Sequence, residues 1–474
     1  YSKITLIMIV DGRSVSSLVL SMIAMVFTIF PLNLKIRGKQ ISLNYAVVPP
    51  VVTLFLCCTT LIDYKTLLRG LVGPKSPYQD DSPSNLVPLT VVVLFFGLAY
   101  TCISADHSNL FKLIAQKFKQ IALKSKNKRL IGMMLFFSFA GIFTLCTSND
   151  IVILCLTPII LEFVEQSNDL QVLIPMLLCQ FASANTFSMS LLTGNPSNFI
   201  LTSVFDIKFM DYMRPMVLPG VVSGVVVLVY SFVFLKLEAK KARYEEFSQP
   251  QAQQKSVQYD KFNAVFSSVL LVIMLLFFIF SQLIQDALPS FDICYIALGA
   301  ALIQLAKDAV LHQKKRVSLG EIAKNLPWGV PLFLISMFVL VENAIHIGLI
   351  RDLASALAAF LSGKSSLVFS FVAQGLMMLA CLLFNNLPGT IIVSRILNDS
   401  KLGQLRFSQV AAFSAAAGSN YGALLMPHCS LAGLMWSKLV GRKELMLKTW
   451  ANSALLSVLV GVCSSLVICL THTW

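Results

Sequence analysis

Cys146-Thr147-Ser148-Asn149-Asp150-Ile151-Val152-Ile153-Leu154-Cys155-Leu156-Thr157-Pro158-Ile159 is a polar break set inside an apolar run, with a Thr-Pro pair two turns further on. A second such break, Phe384-Asn385-Asn386-Leu387-Pro388-Gly389-Thr390, places Asn386 237 residues after Asn149. A third runs from Ser183-Ala184-Asn185-Thr186-Phe187-Ser188 to Thr193-Gly194-Asn195-Pro196-Ser197-Asn198. The fourth runs from Gly418-Ser419-Asn420-Tyr421-Gly422 to Met426-Pro427-His428-Cys429-Ser430, with Asn420 235 residues after Asn185. Two kinds of break, each repeating at nearly one period, imply two copies of one structural unit.

Around these breaks the chain is a membrane protein by composition. Hydrophobic residues make up 56%, charged residues 13%, and mean hydropathy is +0.77, against roughly 25% charged in soluble domains. Apolar runs of about 18 residues, enough to cross a bilayer core, recur throughout. In the first half they read as spans 14–34, 42–62 and 85–105, a hairpin 130–164, an interrupted span 171–205 and a last span 214–236. In the second half they read as 262–284, 291–306 and 326–350, a hairpin 365–398, an interrupted span 406–437 and a last span 446–470. The fold expected is all-α and polytopic, with about ten transmembrane helices and two re-entrant hairpins. Its parts are an N-terminal repeat 1–240, a polar cytoplasmic linker 241–261 and a C-terminal repeat 262–474. The first apolar run lacks a small-residue cleavage site and reads as a span instead of a leader.

The formal charge of +14 does not point to nucleic acid, because most Lys and Arg occupy short loops between spans. Placing Lys35, Arg37 and Lys39 in the cytoplasm puts the basic segments 112–129, 236–261, 307–324 and 438–448 there as well, as the positive-inside rule requires. Both termini then lie outside, and the location expected is a plasma (inner) membrane. The acidic loop 162–171 runs against this bias. The assignment needs each hairpin to enter and leave on one side. Re-entry and a double crossing both satisfy that, and the polar break at each hairpin's middle favours re-entry. Each half then has five crossings, so the halves run in opposite directions, as in many secondary transporters. The stretches 109–123 and 350–361 precede the hairpins in matching places and read either as interfacial arms or as solvated linker helices. Eleven cysteines without CxxC spacing read as small packing residues.

Gly, Pro and Asn unwind helices, and bare N–H and C=O groups survive at membrane depth only inside protein or around a wet cavity. Unwound half-helices also offer their N-termini to polar solutes. The substrate- and ion-binding candidates are therefore Ser148, Asn149, Asp150, Asn185, Ser188, Asn195, Asn198, Asn385, Asn386, Thr390, Ser419, Asn420 and Ser430. Asp150 and Glu342 are the two acids expected inside spans, where an ionisable group is a functional candidate by default. Either could carry a coupling proton. Glu342 could equally serve packing or a gate, with His346 one turn away as its partner. His428 fits cavity lining and a structural hydrogen bond equally.

At these residues the sequence resembles the ion transporter superfamily, most closely the arsenical-pump membrane proteins and their permease relatives. Asn149-Asp150 with Thr157-Pro158-Ile159 is similar to the family's N-D…T-P-I signature, and Ala184-Asn185 through Asn195-Pro196-Ser197-Asn198 to its A-N-x-G-S…G-N-P-x-N. Asn385-Asn386-Leu387-Pro388 resembles N-N-M-P. Gly418-Ser419-Asn420 through Pro427, Ser430-Leu431-Ala432 and Trp436 resembles the closing G-x-N-x-G…T-P-x-G-S-L-A…W block. Phe187, Met426, His428 and Cys429 depart from the pattern. The resemblance implies export of arsenite or antimonite driven by protons or by an ATPase, and without a GxxxxGK[ST] motif any ATPase is a separate subunit. Sodium-coupled uptake of dicarboxylate- or sulfate-like anions, or sodium/proton exchange, is the competing transport reading, and assembly as a homodimer is open. No cofactor or metal pattern is present, and neither a nucleophile–base pair nor H-E-x-x-H supports an intramembrane enzyme.

Overall fold

The structure is a computed structural model. It describes residues 12–29, 32–36, 39–73, 87–108, 110–167, 172–241, 260–288, 290–403, 405, 407–441 and 443–472. The linker expected at 241–261 therefore lies almost wholly outside the described residues, as does part of the acidic loop.

The first half comprises α1 (Gly12–Ile29), the strands β1 (Leu32–Ile36) and β2 (Lys39–Leu43), α2 (Val48–Cys58), α3 (Tyr64–Val72), α4 (Pro88–His107), α5 (Leu110–Lys124), α6 (Lys128–Cys146), α7 (Asn149–Ser167), α8 (Leu173–Ser188), α9 (Pro196–Phe205) and α10 (Phe209–Lys241). The second comprises α11 (Lys261–Ile279), α12 (Ser281–Ala287), α13 (Cys294–Gln313), α14 (Leu319–Asn325), α15 (Gly329–His346), α16 (Leu349–Leu361), α17 (Ser366–Phe384), α18 (Asn386–Leu397), α19 (Ser400–Gly403), α20 (Ser408–Gly422), α21 (Leu431–Val440) and α22 (Lys443–His472). Among the described residues eight helices are long and apolar enough to cross a membrane, and Ser14–Phe27 and Val48–Cys58 are shorter apolar helices. The fold is the all-α polytopic one expected.

Packing repeats between the halves. Helix α6 lies along α8 as α17 lies along α20, and α8 lies against α10 as α20 lies against α22. The second hairpin arms cross over: α7 packs on α21 of the other half, and α18 packs on α9. Likewise α4 runs along α13, and α15 runs along α2 and α3. Val217, Val221, Val225, Val229 and Val233 are exposed along α10 at one-turn spacing, which is a lipid-facing stripe.

Two expectations are corrected. Span 42–62 is not one crossing. Residues 39–43 pair with 32–36 as an antiparallel ribbon, and Pro at the first turn opens α2, where a missing N–H is tolerated. Thr60, at φ +55, then ends the segment. Eleven residues rise only about 16 Å. Span 291–306 is too short, because α13 continues to Gln313 and carries Lys307 and Asp308 inside the helix instead of in a loop. Asp308 is thus a third acid buried at depth, beyond the two expected. Arg395 of the second hairpin is an ion-pair partner of Glu342 that the residue order did not offer.

Helix length does not impose re-entry on the hairpins. The 19 residues of α6 and of α17 would rise about 28 Å, close to a full bilayer core. The two tips are nonetheless interior: Asn149, Asn385 and Asn386 are all buried.

Candidate substrate and ion site

The first hairpin turns at Thr147 and Ser148. Thr147 Oγ1 donates back to the Phe143 carbonyl at 2.7 Å, closing α6. Asn149 opens α7, its Oδ1 accepting the Asp150 N–H at 2.9 Å while its Nδ2 donates to Asn185 Oδ1 at 2.9 Å. The tip is thereby tied to the last turn of α8.

The break after α8 is built by its own side chains. Asn195 Oδ1 accepts the Ser197 N–H at 3.2 Å, capping α9. Asn198 Nδ2 donates to the carbonyls of Ser188 at 2.8 Å and Leu191 at 2.9 Å, groups the unwound backbone leaves open. Gly194 sits where any Cβ would collide with the Ser188 carbonyl, so the loop closes this tightly only with glycine.

Asn420 of the second half is the hub. Its Oδ1 accepts from Asn195 Nδ2 at 2.9 Å and lies 2.6 Å from Ser188 Oγ, while its Nδ2 donates to Asn198 Oδ1 at 2.9 Å and to the Ala416 carbonyl at 2.8 Å. Ser419 and Ser197 hydroxyls meet at 2.8 Å beside it. The structure thus brings Asn185, Ser188, Asn195, Asn198, Ser419 and Asn420 into one buried network, with Asn149 attached through Asn185.

The second tip is built differently. Asn385 has φ +78 and ψ 158, a region nearly reserved for glycine. It is held by its Nδ2 donating to the His428 carbonyl at 2.9 Å. The neighbouring Asn386 Oδ1 is buried with no hydrogen-bond partner among the described residues. Thr390 Oγ1 donates to the Asn386 carbonyl at 2.6 Å, and Ser430 caps α21 by accepting the Gly433 N–H at 3.0 Å. No hydrogen bond joins Asn149 to Asn386 among the described residues.

Asp150 lies apart from the network. With Ser148 and Thr193 it lines a cavity of about 520 Å³ that reaches along α4 to Asp106, His107 and Glu321. Its carboxylate makes no hydrogen bond or ion pair among the described residues. Tyr45, in the turn before α2, lines the same cavity. At the far end His107 Nε2 and Glu321 Oε2 stand 3.1 Å apart, joining α4 to α14. Glu342 is 3.9 Å from Arg395, whose Nε has no partner among the described residues, and both side chains are about nine-tenths buried. This pair bridges α15 to the second hairpin, away from the Asp150 cavity. His428 Nε2 is 3.1 Å from the Leu382 carbonyl, which fits the structural hydrogen bond. Among the described residues no group of three His, Cys, Asp or Glu could hold a metal ion.

Sequence reasoning missed Arg395, Tyr45 and the buried Lys307–Asp308 pair. Arg395 was findable as a basic residue inside an apolar hairpin. Tyr45 carried no signal, because only the tertiary fold brings it to Asp150.

Comparison with known proteins places this geometry. A family profile described as citrate transporter (CitMHS) matches residues 4–418. An uncharacterized transporter of Synechocystis is 24% identical over 271 residues, 56% of either chain. An arsenical pump membrane protein of Escherichia coli is 24% identical over 267 residues, covering 56% of this chain and 59% of that one. The chain spans just over half the length of these relatives. A solved structure, that of the Alcanivorax borkumensis YdaH transporter, described as revealing an unusual topology, shares the fold. Its TM-score is 0.52 at 12% identity, over 97% of both chains. Because the profile match runs through both hairpins and the first broken span and reaches the start of the second, the chain belongs to the citrate transporter (CitMHS) family within the ion transporter superfamily.

Proposed function

We propose that this protein is a secondary active transporter that moves a small inorganic oxyacid or anion, arsenite or antimonite foremost, by proton-coupled alternating access. The observation that carries the reading is Asp150: a carboxylate without a partner among the described residues, in a cavity beside a hydrogen-bonded Asn and Ser network. A charge left out of water is costly, so the group favours taking a proton when the cavity closes and losing it when the cavity wets. The neutral amides and unwound backbone around Asn149, Asn185 and Asn386 offer donors and acceptors that replace hydration of a small polar solute. The inverted halves meet at the bilayer midplane, the protein sitting in a plasma (inner) membrane with both termini outside. The likeness to an arsenical pump membrane protein supports this choice of cargo, and the citrate transporter family supports an anionic one in general. The protein works as a transporter and not an enzyme; a homodimer and a separate ATPase subunit fit the same reading.

Sodium coupling of an anion is the second reading, and one observation favours it. Asn386 Oδ1 is a buried carbonyl oxygen without a donor among the described residues, beside the strained Asn385, and such an oxygen suits a cation. A thermal-shift panel of arsenite, antimonite, sulfate and dicarboxylates, with and without sodium, separates the two. Sodium-independent stabilisation by arsenite or antimonite, with uptake or efflux following an imposed pH gradient, supports the first reading. Stabilisation of an anion complex only in sodium overturns it in favour of the second.

A further inference from the structure

Two grooves meet on the outer face of α11, far in sequence from the Asp150 cavity. One, about 920 Å³, follows the helix past Val265, Val269 and Ile273 and is bounded by Ile303 of α13. The other, about 590 Å³, shares Phe262, Phe266, Ile303 and Arg316 with the first and ends at Lys307 and Lys314. The result is one channel, apolar along its length and cationic at one end. Val265, Val269, Ile273 and Ile303 are all exposed, and both flanking helices are apolar enough to cross a membrane.

The cationic end has a fixed floor and a free rim. Lys307 is buried and already engaged: Nζ lies 2.7 Å from Asp308 Oδ1, and it donates to Asn263 Oδ1 and, at 3.3 Å, to Ser267 Oγ. Asp308 in turn accepts from Ser104 Oγ at 2.6 Å and from Tyr100 at 3.0 Å. This floor is neutral overall. Arg316 pairs with Asp260 through Nε at 2.8 Å and through Nη2. Partial burial works against ionising Asp260, but the hydrogen bonds and charge of Arg316 hold its carboxyl below the ordinary value. Lys261 and Lys314, by contrast, make no ion pair among the described residues. Among the described residues the rim therefore keeps an excess of positive charge.

A water-borne anion gains nothing from the apolar length of such a channel, and a neutral amphiphile gains nothing from its cationic end. We propose that this groove is a binding site for an anionic phospholipid, with one acyl chain along Val265, Val269 and Ile273 and the phosphate between Lys261, Lys314 and Arg316. The charge bias of the loops puts this end of α11 and α13 on the cytoplasmic side, where juxtamembrane Lys and Arg attract anionic headgroups. The lipid would brace α11 against α13, the helix that packs along α4.

Native mass spectrometry of the full-length chain in detergent tests this with phosphatidylglycerol, phosphatidylcholine and inorganic phosphate as probes. The site predicts that phosphatidylglycerol is retained over phosphatidylcholine by about thirtyfold, the scale that two lysines at a membrane surface contribute. Lys261→Gln with Lys314→Gln should reduce that preference to near parity. Arg316 is left in place because its pair with Asp260, the N-cap of α11, supports the helix. Ile303→Trp should fill the channel and lower phosphatidylglycerol retention while leaving weak binding of inorganic phosphate unchanged. If Ile303→Trp does not fold by gel filtration, Val269→Trp on the exposed face replaces it. Equal retention of the two lipids by the wild type, or a preference unchanged in the double-lysine variant, overturns the proposal. Full displacement of the lipid by equimolar phosphate, or a dimer that Ile303→Trp disperses, also overturns it, assigning the site to free phosphate or to a second copy.

Discussion

The two hairpin tips share a plan and differ in chemistry. Each joins two helices through an Asn whose amide is tied to a neighbouring break, Asn149 to Asn185 and Asn385 to the His428 carbonyl. The first tip then carries Asp150, whose carboxylate lines a cavity. One repeat period later stands Leu387, which is buried. The second tip instead has a strained Asn385 and the partnerless oxygen of Asn386, and further along its arm a buried cation, Arg395, facing Glu342. The two halves share the backbone device, an unwound turn inside protein, and carry different charges at it. On this account coupling lies in the first half, while the second half supplies neutral ligands and a lock to α15.

That contrast can be broken at its hub first. Asn420→Ala removes the acceptor of Ser188 and Asn195 and the donor to Asn198. Orphaning buried polar groups costs about 1–3 kcal/mol each, so folded yield after gel filtration should collapse. A well-folded Asn420→Ala protein would show that the two halves do not depend on this junction. Glu342→Gln ranks next, since it leaves Arg395 uncompensated at a cost of about 3–5 kcal/mol. Removing both charges, Glu342→Leu with Arg395→Met, should recover most of that stability in thermal unfolding. Recovery of stability without recovery of transport would mark the pair as a working lock; recovery of both would make it packing only. Asn386→Ala should fold normally and weaken substrate or sodium binding by about tenfold, near 1.4 kcal/mol. Undiminished binding would take Asn386 out of the site.

The smallest effect belongs to Asp260. Its carboxyl is held below the ordinary value in the folded protein. The stabilisation is therefore fully present above the ordinary carboxylate range and is lost as pH falls through the lowered value. Arg316 is partly exposed, so Asp260→Asn should cost less than about 1 kcal/mol at neutral pH and flatten the acid limb of the stability profile. An unchanged acid limb would remove the pair from the account.

Much of this was legible from residue order. Asn, Gly and Pro cannot sit in an apolar run without unwinding it, so the four breaks announced themselves, and their spacing announced the repeat. The second span was misread because Val48-Pro49-Pro50 counts as apolar while Pro confines it to a helix start. Asp308 was misread because α13 continues two turns past its apolar run, carried by Tyr100, Ser104 and Asn263 on neighbouring helices that satisfy its polar end. The Asn420 junction was legible as a polar cluster but not as a hub, since its partners Ser188, Asn195 and Asn198 lie more than 220 residues away in sequence.

The central claim is that Asp150 alone couples cargo to protons. The most direct measurement is arsenite flux in proteoliposomes under an imposed pH gradient, wild type against Asp150→Asn, with cargo exchange at equal pH as the control. The account predicts that Asp150→Asn folds and still exchanges cargo, while its gradient-driven flux falls to background. Gradient-driven flux at the wild-type level in a folded Asp150→Asn protein would contradict it.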